Sequence, residues 1–335
     1  YGIGAALVDT EIEVSDEFLE RAQIEKGVMT LVDETRQHEL IAHLQDHLVG
    51  SKRSSGGSAA NSIIAASHFG ATTFYSCKVA DDDNGHFYLQ DLQAAGVDSN
   101  PHPKSDTSGA GDVPEITGKC LVLITPDAER TMNTFLGISE TLGTAELDHT
   151  AIAASEYLYI EGYLVTSPTG REAAIEARRV AEANNVKTAI SLSDPGIVEF
   201  FSDGLRSMTG DGVDLLFCNR QEALDWTKTD SIAEAAERLK QDAKSFAITL
   251  GADGALIFDG QQLIDIAPHP VTAIDTNGAG DMFAGAFLYA ITHGHDFSSA
   301  GRLACRSAAE LVQQYGPRLP AQSHRQLLEE TLSCA

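Results

Sequence analysis

Asp275-Thr276-Asn277-Gly278-Ala279-Gly280-Asp281 runs without a break into Met282-Phe283-Ala284-Gly285-Ala286-Phe287-Leu288. A glycine-rich turn that opens straight into an apolar helix is an anion trap. The glycines let backbone N–H groups converge, and the positive end of the helix points at whatever negative charge sits there. The closing acid does something a phosphate cradle alone does not need. A carboxylate beside a phosphate is repelled unless it has a task, and the obvious one is to take a proton from a hydroxyl. This segment argues for phosphoryl transfer to an alcohol.

Asp106-Thr107-Ser108-Gly109-Ala110-Gly111-Asp112 repeats the pattern. Its next residues, Val113-Pro114-Glu115-Ile116-Thr117-Gly118, cannot carry a helix on from the turn. Lacking aligned amides and a dipole, the copy reads as a loop decoy.

Outward from the motif, short β-rich runs alternate with amphipathic helical patterns. Ile3–Val8, Thr72–Val79, Tyr157–Ile160, Lys187–Ser191, Leu215–Cys218, Phe246–Leu250 and Ala255–Phe258 read as strands. Ser15–Gln23, Glu34–Leu48, Ala59–Phe69, Gly85–Ala95, Thr169–Asn184, Ile232–Lys240, Gly278–Thr292 and Ser298–Gln314 read as helices. That alternation predicts an α/β fold: one mostly parallel central sheet, helices on both faces, ligands beyond the carboxyl ends of the strands. Two stretches break it, at approximately residues 10–55 and 100–136. They predict a small β lid built from two excursions out of a single domain spanning residues 1–335.

The formal net charge is −26, with 49 Asp and Glu against 23 Lys and Arg. Such a surface repels nucleic-acid backbones and anionic lipid, so neither is expected as a partner. A nucleotide site must then build local positive potential from helix ends, Mg²⁺ and a few basic side chains. The five cysteines are scattered, odd in number and without a C-x-x-C pair. That predicts reduced thiols and a cytoplasmic protein. No apolar run is long enough to cross a bilayer.

Four weaker constellations accompany the motif. Gly56-Gly57-Ser58-Ala59-Ala60-Asn61 permits close approach of a ligand to backbone, or is a plain turn before a helix. Asp9, at a strand end, accepts from a sugar diol or caps a turn. Asn219-Arg220-Gln221-Glu222 is a capping box, or a pair organising Mg²⁺ through its waters. Thr249-Leu250-Gly251-Ala252-Asp253-Gly254 suits a nucleotide or an ordinary hairpin. His38 and His43 have the wrong spacing to share a helix face, since five residues turn a helix by about 500°.

Taken in this order, the signals resemble the ribokinase-like carbohydrate kinases of the phosphofructokinase-B type, and within them the adenosine kinase branch. Besides the motifs above, Val8-Asp9 followed by Val14-Ser15-Asp16-Glu17-Phe18-Leu19 resembles that branch's opening. Ser191-Leu192-Ser193-Asp194 and Tyr159-Ile160-Glu161-Gly162-Tyr163 fall where it has counterparts. The resemblance implies an ATP- and Mg²⁺-dependent kinase acting on the primary hydroxyl of a nucleoside or sugar, adenosine before ribose. It implies Asp281 as general base and Gly278, Ala279 and Gly280 as the anion hole. Asp9, Gly56, Gly57, Ser58, Asn61 and Tyr163 would bind the acceptor. Asn219, Glu222, Thr249, Gly251 and Gly254 would serve ATP, Asn219 and Glu222 holding Mg²⁺ through water. Arg130 resembles the lid arginine that approaches the phosphates; its plain alternative is a surface pair with Asp127 or Glu129. The resemblance also implies a monovalent cation such as K⁺, and a monomer or homodimer. Met132, Phe135 and Tyr163 are the candidates for a wall against a nucleobase, or are plain core residues. One departure matters: the family opening usually carries asparagine where this chain has Ala5, which removes a polar contact to the acceptor.

Overall fold

The chain changes sheets between Gly4 and Ala6. The computed structural model describes residues 1–44, 52–99, 116–127 and 129–332. The run that reads as one strand, Ile3–Val8, is there divided in two. Strand β1 (Gly2–Ile3) lies between β5 (Thr73–Ser76) and β9 (Tyr157–Glu161), parallel to both. Strand β2 (Leu7–Glu13) belongs to a separate five-stranded sheet. An unbroken apolar run hides this switch, because both strands bury their side chains.

The large sheet continues through β10 (Lys187–Ser191), β11 (Leu215–Asn219) and β12 (Phe246–Thr249), all parallel. It ends in an antiparallel hairpin of β13 (Ala255–Phe258) and β14 (Leu263–Ile266). With β6 (Val97–Ser99) at the far edge, the order is β14-β13-β12-β11-β10-β9-β1-β5-β6. Its strands are covered on both faces, so they read as apolar runs rather than alternations. Tyr159 packs on one face with α3 (Ser58–Phe69), α4 (Asp83–Ala94), α10 (Ala279–Thr292), α11 (Phe297–Leu311) and α12 (Ala321–Leu332). Leu158 and Ile160 pack on the other, with α5 (His149–Ala153), α6 (Pro168–Ala183), α7 (Pro195–Thr209), α8 (Arg220–Thr227) and α9 (Ile232–Leu239).

The smaller sheet has the order β3-β8-β7-β2-β4, with β3 (Met29–Leu31), β4 (Lys52–Gly56), β7 (Gly118–Ile124) and β8 (Arg130–Phe135). Its faces differ. Leu121 and Leu123 pack under α1 (Asp16–Arg21) and α2 (Glu34–His43), against Phe18, Leu19 and Leu40. Cys120, Val122 and Met132 point the other way and line a cleft above the large sheet.

Helix α2 ends at His43 with Leu44 as its C-cap, and residues 45–48 of the expected Glu34–Leu48 lie outside the described residues. So do the second motif copy, Asp106–Asp112, and the loop around it. Helix α7 escapes sequence reading, because Ser193-Asp194-Pro195-Gly196 looks like a turn. Asp194 is in fact its N-cap, accepting from Gly196 N–H at 2.7 Å, and Pro195 takes the first helical position, where its missing N–H does no harm.

Candidate active site

Helices α3 and α10 lie against each other with their N-termini side by side. Gly285 makes this possible, since a Cβ there would collide with the Ser62 carbonyl and sit 2.8 Å from the Ala65 Cβ. Each helix begins on a glycine of positive φ, Gly57 (φ 99°) and Gly278 (φ 72°), and neither has a side-chain cap of its own. At α3 one amide is taken from β9: Glu161 Oε2 accepts from Ala59 N–H at 2.8 Å, and Oε1 accepts from Ala5 N–H at 3.3 Å. At α10 the end stays open. Ala279 N–H turns back to the Thr276 carbonyl at 3.2 Å and Met282 N–H to that of Gly278 at 2.7 Å. Among the described residues, no acceptor takes the N–H groups of Gly278, Gly280 or Asp281. Of the three amides expected in an anion hole, the Ala279 amide is spent, and that of Asp281 is open instead.

Asp281 sits half-buried at this opening. Ser58 Oγ donates to its Oδ1 at 2.6 Å and Asn61 Nδ2 to its Oδ2 at 3.1 Å. Burial pushes the carboxyl up to about 6, against the opposing pull of Ser58, Asn61, Arg130 and Arg318. A carboxylate held near neutrality and aimed into a cleft is a fit proton acceptor.

The cleft is a cavity of about 360 Å³ between the two sheets. Asp9, Gly57, Ser58, Asn61, Tyr163, Asn219, Glu222, Thr249 and the motif from Thr276 to Asp281 all border it, with Arg130. Asp9 is buried and close to Asp281 and Glu161; burial pushes its carboxyl up to about 8 despite Arg318. No donor is placed against it among the described residues, so it is free to accept from a ligand. The smaller sheet supplies the apolar wall with Leu7, Met29, Leu31, Val122 and Met132, joined by Leu136 just after β8. Phe135 is absent from it. Strand alternation turns Arg130, Met132 and Thr134 to the cleft and Phe135 away.

Arg130 crosses the cleft. Its Nε lies 2.6 Å from Asp275 Oδ1, Nη1 donates to Asn277 Oδ1 at 3.2 Å and Nη2 to Thr276 Oγ1 at 2.7 Å. Its ion pair is thus with Asp275 and not with Asp127, which Lys26 holds at 2.7 Å, while Glu129 lies near enough to favour the charged guanidinium.

Asn219 and Glu222 form the capping box: Asn219 Oδ1 accepts from Glu222 N–H, and Glu222 accepts from the Asn219 N–H and Nδ2 at 2.9 and 2.6 Å. They border the cavity all the same. Burial pushes Glu222 up to about 8, and Asp194, beside it on the cavity wall, adds to the rise. Among the described residues no group of three or more His, Cys, Asp or Glu forms a cage for a metal. Two neighbouring carboxylates with spare lone pairs do suit a hydrated Mg²⁺ shared with phosphates.

Three expected site glycines do not border the cavity. Gly56 passes beneath Asp9, whose carboxylate occupies the space of a Cβ. Gly251 opens the turn after β12, and Gly254 (φ 91°) closes it, its Cβ position blocked by the Ile266 carbonyl. Sequence reading assigns no role to Glu161, Asp194 or Arg318. A lone Glu ending the apolar strand Tyr157–Ile160 is a signal for the first. Arg318 has none, because its contacts are remote in sequence.

An open helix N-terminus, a carboxylate beside it and a cation reaching across from the smaller sheet are the apparatus of a phosphotransferase with a hydroxyl acceptor. The pfkB family carbohydrate kinase model matches residues 28–324, and the chain belongs to that family. The crystal structure of a probable sugar kinase protein from Rhizobium etli superposes with a TM-score of 0.90 at 32% identity, covering 98% of this chain and 97% of that one. The adenosine kinase of Sinorhizobium meliloti superposes at 0.88, with 33% identity over 97% and 98% of the two chains. Saccharomyces cerevisiae adenosine kinase is 26% identical over 341 residues, 96% of each chain. The fold is therefore the ribokinase-like α/β fold. No helix among the described residues is long and apolar enough to cross a membrane.

Proposed function

We propose that this kinase transfers the γ-phosphoryl group of ATP to the 5′-hydroxyl of a nucleoside, adenosine first. One observation carries the chemistry: Asp281 and the open amides of Gly278, Gly280 and Asp281 face the same cavity as Asp9 and Asn61. Asp9 and Asn61 fix the ribose hydroxyls. Asp281 takes the proton of the primary hydroxyl as its oxygen attacks phosphorus. The open amides and the dipole of α10 stabilise the charge that gathers on the phosphoryl oxygens. Asn219, Glu222 and Asp194 would hold Mg²⁺ through its water shell; bound there, the ion neutralises phosphate charge. Thr249 lines the ATP end. A K⁺ requirement is read by repeating the assay with Na⁺ in its place.

The apolar wall from Met29 to Leu136 favours a nucleoside over a free sugar, which has no base to cover it. The S. meliloti and S. cerevisiae relatives, both adenosine kinases, support the same order. ADP release measured with adenosine, inosine, guanosine, ribose and fructose tests this, and adenosine is expected to give the highest kcat/KM. Faster turnover of ribose or fructose moves the acceptor to a free sugar. No turnover of any of them overturns the kinase assignment for these acceptors.

A further inference from the structure

The site is braced from behind by three consecutive residues in the turn before α12. Gly316 N–H donates to Asp275 Oδ2 at 2.8 Å. The Pro317 carbonyl packs so tightly under Gly278 that a Cβ there would lie 2.7 Å from it. Arg318 reaches Asn61: its Nε donates to Asn61 Oδ1 at 3.1 Å, across 257 residues of sequence. The remaining guanidinium nitrogens are anchored. Nη1 donates to Asp91 Oδ2 on α4 at 2.8 Å, and Nη2 to Ser55 Oγ at the end of β4 at 2.9 Å.

A carboxamide has one accepting end and one donating end. Here a guanidinium faces the first and the Asp281 carboxylate faces the second. Turning Asn61 over would set oxygen against carboxylate and N–H against cation, so the orientation is fixed by both neighbours together. We propose that Arg318 is a positioning residue for phosphoryl transfer, holding the donor end of Asn61 on Asp281 and supplying the fixed cation behind the acceptor site. The inference rests on Asp281 being the base, as proposed above.

The charged and titratable groups around Asp281 come from every neighbouring element. Arg130 and Arg318 are the cations; Asp9 and Glu161 are the acids; Tyr159 and Tyr163 are the phenols. Arg318 opposes the rise of both Asp9 and Asp281, so its removal favours their protonated forms. A protonated Asp281 cannot accept the proton.

The test is steady-state kinetics with ATP and adenosine from pH 5 to 9 on Arg318→Ala, Arg318→Lys and Asp281→Asn, with thermal melting to confirm folding. Arg318→Ala is expected to raise KM for adenosine about tenfold, the scale of a lost charge-assisted bond, and to move the acid limb of kcat/KM to higher pH. Arg318→Lys is expected to restore the limb but not KM, because one ammonium cannot span the three acceptors. A folded Arg318→Ala with wild-type KM and limb overturns the proposal. Ordinary turnover by Asp281→Asn overturns the base reading instead. Should Arg318→Ala not fold, Arg318→Lys together with Asp91→Asn decides: the second keeps the charge but loosens its aim, so KM rises and the limb stays. An unchanged KM in both overturns the proposal.

Discussion

The N-termini of α3 and α10 are near-twins with opposite fates. Both begin on a glycine of positive φ without a side-chain cap, and both face one cavity. Glu161 takes the Ala59 amide of the first, and α3 offers the cavity the side chains of Ser58 and Asn61. Among the described residues no side chain occupies the second, so α10 offers the amides of Gly278, Gly280 and Asp281. A glycine cap therefore does not by itself make an anion site. The site exists where the fold withholds an internal acceptor, and the neighbouring helix shows what supplying one does.

Removing the acid at the open end has the largest effect. Asp281→Asn keeps the volume and can still bond Ser58, but it cannot take a proton. We expect kcat to fall by about 10³-fold, within the usual span for a general base, while ATP binding measured by calorimetry stays within a few-fold. Turnover within tenfold of wild type in the variant would show that α10 contributes only its amides.

Removing one amide comes next. Gly280 is exposed, and a Cβ there meets nothing within 4 Å. Proline is tolerated in the first turn of a helix, so Gly280→Pro deletes a single open donor, whereas Gly280→Ala keeps it. The proline variant is expected to lose about 10²-fold in kcat, on the scale of one oxyanion donor, and the alanine variant to stay close to wild type. Equal losses in both would point to a steric cause and break the contrast between the two helix ends.

The two ends also differ in how far the sequence discloses them. Asp275–Asp281 announces the α10 end because glycine, acid and apolar helix are contiguous, and the helix begins at Ala279 as the pattern requires. The α3 end is half legible. Gly56-Gly57 marks it, but its occupant Glu161 lies 102 residues from Ala59, and only the fold brings them together. The same holds for Arg318. The division of Ile3–Val8 between two sheets escapes a reading by hydrophobicity, since Ile3 and Val8 are both buried, in different sheets. The role split within β8, Met132 inward and Phe135 outward, follows from alternation once Arg130 is assigned to the cleft. Glu222 shows the reverse limit: its capping-box reading and its cavity position are both true, so local pattern could not choose between them.

The smallest expected effect separates the two ends by pH. Burial pushes Glu161 up to about 7 and Asp281 up to about 6. For catalysis the base must be ionised, so kcat/KM rises with pH through about 6 and then levels. For stability the sign is opposite. A glutamate in the unfolded chain titrates near its ordinary value of 4.5, whereas Glu161 titrates near 7 in the fold, so the folded state holds its proton more tightly. The stability this contributes is fully present below about pH 4.5 and is lost as pH rises through about 7. The ligand-free protein should therefore melt at a lower temperature at pH 7.5 than at pH 5. Glu161→Gln, which cannot ionise, should remove that residue's share of the decline between about pH 4.5 and 7 and leave the rest to Asp281, pushed up to about 6, and to Asp9 and Glu222, both pushed up to about 8. The amide accepts at one oxygen where the carboxylate accepted at two, so Ala5 or Ala59 loses its partner. The variant should thus melt lower than wild type at pH 7.5 only if that lost bond outweighs the relieved charge. A melting curve for Glu161→Gln as steep in pH as that of wild type would mean that Glu161 stays ionised where it caps α3.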